Sequence, residues 1–133
     1  MADYTPVFVP GDEIPLTASA IVAGGDLVEV SGSGTIAKVA TLASTKYVGV
    51  VAQDTPANGR CTVFARDIVH LSLADGAITA GDQLTTTNTA GRQVKTVPAV
   101  TTPTAADVTN TRGIIGVAMT SVADNQLVRW MQY

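Results

Sequence analysis

Apolar and polar positions alternate in short stretches along almost the whole chain, and Gly, Asp, Asn or Pro cuts each stretch off. "KYVGVVAQ", "RCTVFA" and "DIVHLSLA" follow one another in this way. A period of two between such boundaries predicts half-buried β-strands. In "IVHLSL" it places Val69, Leu71 and Leu73 on one face and Ile68, His70 and Ser72 on the other. In "QLVRWMQY", Val128 and Trp130 alternate with Leu127, Arg129, Met131 and Tyr133. Only "TPTAADVTN" has helical colour, and its threonines and leading proline allow one short turn at most. The interior expected from this pattern is Val28, Val30, Val48, Val50, Val63, Val69, Leu71, Leu73, Ile115, Val117, Val128 and Trp130.

The pattern is also written twice. "AIVAGGDLVEV", from Ala20, returns as "AITAGDQLTTT", from Ala77, an offset of 57 (77 − 20). Further on, "YVGVVAQDTPANGRCTVFA" returns as "IIGVAMTSVADNQLVRWMQ", with Gly49 matching Gly116 and Asn58 matching Asn125 at an offset of 67 (116 − 49). The ten extra residues fall where "PAVTTPTAADVTNTR" stands. "AGD" turns arise by chance in β proteins, because Gly takes positive φ freely and Asp bonds its own backbone. Three blocks matching in order argue instead for two copies of one unit. The expected fold is therefore all-β: a compact single-domain barrel or sandwich of short strands, residues 12–133, preceded by an extended N-terminal arm over residues 1–11. The two related units run over about 18–66 and 75–133, and an exposed, tolerant Thr/Pro-rich loop over 98–112 lengthens the second. Two copies are too few for a solenoid.

Length and composition agree with one domain and narrow the function. A chain of 133 residues can bury roughly two-thirds of its unfolded surface. Only 14% of residues are charged, and eight basic residues are scattered singly against a net charge of −3. Nucleic-acid binding and a polybasic membrane patch both need clustered Lys and Arg, so neither partner is expected. A lone cysteine, Cys61, excludes an internal disulfide. "MADYTPVFVPGDEIP" has no basic region and no apolar run of signal length, and no stretch reaches a membrane span. Synthesis and retention in a cytoplasm are expected.

The reactive residues are few. The single histidine, His70, sits on a strand with Asp67 and Asp75 as its nearest acids. Cys61 aligns with Val128 in the repeat, which suits a small buried hydrophobe better than a nucleophile. Neither a nucleophile elbow, a phosphate-cradling glycine loop, nor Cys/His metal spacing occurs. Asp12, Glu13, Asp26, Asp54, Asp67, Asp75, Asp82, Asp107 and Asp124 mostly stand beside Gly, Ala or Asn, a turn distribution. Lys38, Lys46 and Lys95 lack the hairpin-tip setting of a lipoyl or biotinyl carrier. We therefore expect no enzyme activity, no cofactor and no metal, which leaves surface for binding. In "MADYTPVFVPG", Pro6 and Pro10 hold Tyr4, Val7, Phe8 and Val9 extended and deny them a central strand. Such an arm either packs on its own barrel as an edge strand or lies on a partner. The candidate contact residues are Tyr4, Val7, Phe8, Val9 and Pro10, expected against a neighbouring chain.

One resemblance draws these features together. "YTPVFVPGDEIPLTASAIVAGGDLVEVSGSG", "KYVGVVAQDTPANGRCTVF" and "GAITAGDQL" resemble the capsid decoration (cement) proteins of tailed bacteriophages. Phe8, Pro10, Gly11, Thr17, Ala18, Ser19, Gly24, Gly25, Leu27 and Val28 carry the likeness. It continues through Val48, Gly49, Val50, Asp54, Gly59, Thr62, Val63, Ala80, Gly81 and Asp82, and ends near Val97. Two departures, "ARDIVHL" after "TVF" and the Thr-rich loop, mean that contact residues do not transfer one by one. The resemblance implies a structural virion protein, made in the host cytoplasm and mounted on the outer capsid surface. It would form a homotrimer at three-fold and quasi-three-fold positions and cross-link the phage major capsid protein. Multivalent contact would hold it there without strong single contacts. Two other readings stay open. One is a tail or head-fibre β-module, and the other is a small non-catalytic ligand-binding or carrier domain.

Overall fold

The computed structural model describes residues 13–106 and 113–133. Ten strands with almost no helix make up these residues. They are β1 (Glu13–Ala18), β2 (Leu27–Gly32), β3 (Thr35–Lys38), β4 (Tyr47–Val51), β5 (Arg60–Phe64), β6 (Val69–Leu73), β7 (Gln83–Thr86), β8 (Val94–Thr96), β9 (Ile114–Ala118) and β10 (Leu127–Gln132). The fold is all-β and one domain, as the alternation implied. In the Thr/Pro-rich loop, residues 98–106 are exposed and Ala105 and Ala106 begin a helical turn.

Strands β1 to β5 close into a barrel in the order β1-β3-β2-β4-β5, and β6 to β10 form a sheet in the order β6-β10-β9-β7-β8. Exchange β1 for β6, and so on to β5 for β10, and the second order is the first cut open beside β6. A single parallel bridge, Ala74 to Val94, spans that cut where β1 and β3 pair through Thr17–Thr35 and Ala18–Ile36. The Val22–Thr55 bridge likewise recurs as Ile78–Val122.

These pairings correct the first offset of the repeat to 56 (81 − 25). Gly25 and Gly81 share a left-handed φ of 91° and 94°. Their amides donate to Val51 and Ala118, 67 residues apart. Asp26 and Asp82 each accept from the backbone three residues back, at Ala23 and Thr79. Matching by identity picked Gly24, one residue short of the glycine that makes the turn. The offset of 67 stands. Val28 faces Gly49 across β2–β4, and Leu84 faces Gly116 across β7–β9. Asn58 and Asn125 both have positive φ and bond back to Ala18 and Ala74.

The interior falls into two clusters. The first barrel is filled by Ala18, Val22, Val28, Ile36, Val51, Cys61 and Val63. The second cluster gathers Ala74, Ile78, Leu84, Val94, Ile115, Ala118, Val128 and Trp130, and takes in Leu27 and Val50 from the outside of the barrel. The two halves thus share a core. Of the expected interior, Val28, Val50, Val63, Ile115, Val128 and Trp130 are buried, and Val48, Leu73 and Val117 are half-buried. Val30, Val69 and Leu71 are exposed and need correction. Val30 lies beyond the register shift that follows Val28 in β2, which carries it to the barrel rim. Val69 and Leu71 are displaced by Trp130, which pairs with His70 and must share its face. Burying the indole turns His70 and Ser72 inward with it and turns Val69 and Leu71 out.

Candidate functional site

The reactive residues are held as structure. His70 Nε2 lies 3.0 Å from Gln132 Oε1, and the ring sits 5.2 Å from Trp130 and 6.4 Å from Phe64 between centroids. Burial lowers its pKa, and the bond to Gln132 pulls the other way. Gln132 also accepts from the Tyr47 hydroxyl and donates to the Val48 carbonyl, so it ties β10 to β4. Burial pushes the Tyr47 phenol far above its ordinary pKa. Cys61 is buried, its thiol raised by desolvation, with Sγ 3.5 Å from the Leu16 carbonyl. Trp130 Nε1 donates to Ser72 Oγ at 2.9 Å, which satisfies both polar groups in the core.

The carboxylates serve turns. Asp54 accepts from Gly24 N, Asp124 from Gly76 N, and Asp26 also pairs with Lys38 at 3.2 Å. Hydroxyls of Thr87 and Thr89 on Asp75 hold that carboxyl below the usual range, helped by Lys95. An open groove of about 540 Å³ at the end of the barrel, between Ile21, Asp26, Lys38, Asp54 and Pro56, brings two acids and a lysine together but neither His70 nor Cys61. Among the described residues no cluster of His, Cys, Asp and Glu could hold a metal, and no helix is long and apolar enough to cross a membrane. The predicted contact residues Tyr4, Val7, Phe8, Val9 and Pro10 lie outside the described residues.

What the structure brings together is an apolar sheet face. Across β6 and β10, Met131 opposes Val69, Arg129 opposes Leu71, and Leu127 opposes Leu73. Across β10 and β9, Met131 opposes Val117, and Met119 follows one residue beyond β9, its amide donating to Arg129 O. All of these side chains point away from the buried indole. Their exposure is large: Val69 49%, Leu71 59%, Leu127 56%, Met119 51% and Met131 39%. Arg129 is the single charge among them.

The corresponding face of the first unit has diverged. Offsets of 56 and 67 set Glu13, Pro15 and Thr17 where Val69, Leu71 and Leu73 stand, and Arg60, Thr62 and Phe64 where Leu127, Arg129 and Met131 stand. One backbone carries a largely polar face in one copy and an apolar one in the other. An apolar patch held in water by folding alone has a cost, so contiguous patches mark contact sites. Alternation alone assigns Val69 and Leu71 to the core, which hides this face. The signal was there in β10, where Leu127 and Met131 alternate with Val128 and Trp130 and leave both faces of the strand apolar.

Neither a protein-family model nor a curated protein sequence matches the chain. Among solved structures, the crystal structure of the head fiber gp8.5 N base of bacteriophage phi29 is similar in fold. Its TM-score is 0.59 at 16% identity, over 91% of this chain and 92% of that one.

Proposed function

We propose that the protein is a non-catalytic structural component of a bacteriophage virion, bound to the outside of the head through the apolar face of β6, β9 and β10. There it would act as a homotrimer that cross-links major capsid subunits. The observation that carries this reading is the face itself: Val69, Leu71, Met119, Leu127 and Met131 stand out from a rigid sheet around one charge. The likeness in fold to a phage head-fibre base supports a place on the head surface, and the sequence resemblance to decoration proteins supports the cross-linking role.

Burying one such leucine fully is worth about 1.5–3 kcal/mol, so a few anchors in each subunit, multiplied by the copies in an oligomer, suffice for tight attachment. A protein with few charges suits this life, because each charge buried without a partner would oppose assembly. The test is decoration of expanded heads, stripped of the protein, by parent and by Leu71→Asp/Leu127→Asp, followed by electron microscopy. Loss of density with unchanged circular dichroism supports the reading. Full occupancy by the double variant refutes it. The fold likeness also favours a second reading, the base of a head fibre. Isolated protrusions, in place of density repeated over the lattice, would identify that role.

A further inference from the structure

Arg129 stands at the centre of the apolar face, not on its rim. Along β10 its same-face neighbours are Leu127 and Met131. Across the ladder it opposes Leu71 on β6, and on the other side its carbonyl accepts from the amide of Met119 at 2.7 Å. All four of these side chains are apolar and exposed, and none carries a carboxylate. The first unit repeats this backbone without the charge. There the Ala52 amide donates to the Thr62 carbonyl at 2.9 Å, and Thr62 opposes Pro15. Thr62 thus holds the position of Arg129, with Pro15 and Phe64 in those of Leu71 and Met131. The guanidinium is particular to the outer face of the second unit.

A charge so placed decides what can dock. In water the guanidinium keeps its hydration. Once a partner covers Leu71, Met119, Leu127 and Met131, water leaves the centre of the ring as well, and the fork of N–H donors needs an acceptor from the partner. A purely apolar partner would leave the charge buried and unpaired, which opposes association. A phosphate-bearing polymer is matched by clusters of Lys and Arg, not by one arginine ringed by aliphatic groups. A carboxylate fits the planar fork, because it takes two parallel N–H···O bonds. An arginine inside a ring of side chains that shed water is also where interface energy concentrates. We propose that the major capsid subunit presents an Asp or Glu side chain set among apolar groups, and that Arg129 grips this carboxylate while its four neighbours keep water from the pair. The assignment rests on reading the face as the head-binding surface, and it adds a register. One charged pair fixes where the sheet sits on its partner, which non-directional apolar contact does not.

Occupancy of expanded heads, stripped of the protein, measured against protein concentration separates this pair from contact by apolar groups alone. Every variant should keep the parent's circular dichroism, because Arg129 is exposed and its bonds to Met119 and Thr120 are made by its backbone. Arg129→Met keeps the apolar stem and removes the charge. With a carboxylate opposite, that variant strands the partner's charge, and apparent affinity should fall about thirtyfold or more. Arg129→Glu should fall further, and Arg129→Lys, which keeps the charge but loses the fork, should lie between parent and Arg129→Met. Added salt should weaken the parent more than Arg129→Met. If Arg129→Met decorates as well as the parent or better, the partner is uncharged there and the carboxylate is refuted. Loss of decoration by Leu71→Asp/Leu127→Asp in that same experiment would still keep the face as the docking surface. Full decoration by the double variant would remove the face, and this assignment with it. A fall in solution mass for Arg129→Met would give the face to a second copy of the chain and overturn the assignment as well.

Discussion

Adding one methyl group at Gly116 should cost the protein much of its stability. An ideal Cβ built there would stand 2.2 Å from the Met131 carbonyl oxygen and 2.7 and 2.9 Å from Trp130 Cε3 and Cζ3. Ordinary contact requires a retreat of about 1 Å. Neither neighbour can give way freely. The carbonyl belongs to β10, paired to β9, and the indole is wholly buried and tied to Ser72. Overpacking of this kind costs about 1–3 kcal/mol, and a distorted ladder bond adds about 0.5–1.5 kcal/mol. The stiffer unfolded chain returns about 0.4–1 kcal/mol to the alanine variant. The net loss is about 2–3 kcal/mol, or a melting point lower by about 7–12 °C for a domain of this size.

Gly49 is the equivalent residue, with Phe64 O at 2.1 Å from its ideal Cβ, and Gly49→Ala should lose a similar amount. Gly34, at φ 73° with nothing within 4 Å, is the control, and Gly34→Asn should stay within about 1 kcal/mol of the parent because Asn tolerates the left-handed region. Thermal and urea unfolding followed by circular dichroism measure all three. If Gly116→Ala melts with the parent, the close approach of β10 to β9 is not what makes a side chain intolerable there. If Gly49→Ala alone is tolerated, the two units are not equivalent at this turn of the ladder.

The pH dependence should carry the mark of His70. Its folded pKa is lowered while the unfolded chain titrates near 6.5, so the unfolded state binds the extra proton and stability falls as pH drops below about 6.5. Urea midpoints at pH 7.5 and 5.5 should differ for the parent and differ less for His70→Gln. Trp130→Ala should cost about 3–5 kcal/mol by opening a cavity in the second cluster, while the exposed Met131→Ala one residue on should cost under about 1 kcal/mol. Leu71→Asp should likewise leave the unfolding free energy from urea titration within about 0.5 kcal/mol of the parent, because its side chain already stands in water.

Much of this fold was legible because turn chemistry is local. Gly49 and Gly116, Asn58 and Asn125, and the Asp-capped turns each need a particular backbone, so their spacing can be read although the strands between them differ in sequence. The first offset was misread by one residue because Gly24 and Gly25 are equally good as letters, and only the sign of φ separates them. The face of β6 was misread for a deeper reason. Alternation says which residues share a face but not which face is inside. The choice rests on the partner across the ladder, and Trp130 settles it against a row of three aliphatic residues. The core accepts His70 and Ser72 because Gln132 and the indole N–H satisfy them. The aliphatic row, put outside, becomes a surface on which the second unit differs from the first. The two five-stranded units, alike in strand order, carry corresponding outer faces. The first unit places Leu27 and Val50, from its β2 and β4, against the second. The equivalent positions of the second unit, Gln83 and Val117, pair across β7 and β9 in the same way and remain open or half-open. A unit that buries this part of its surface on a copy of itself, followed by one that leaves it open beside five exposed apolar side chains, is built to continue onto something else.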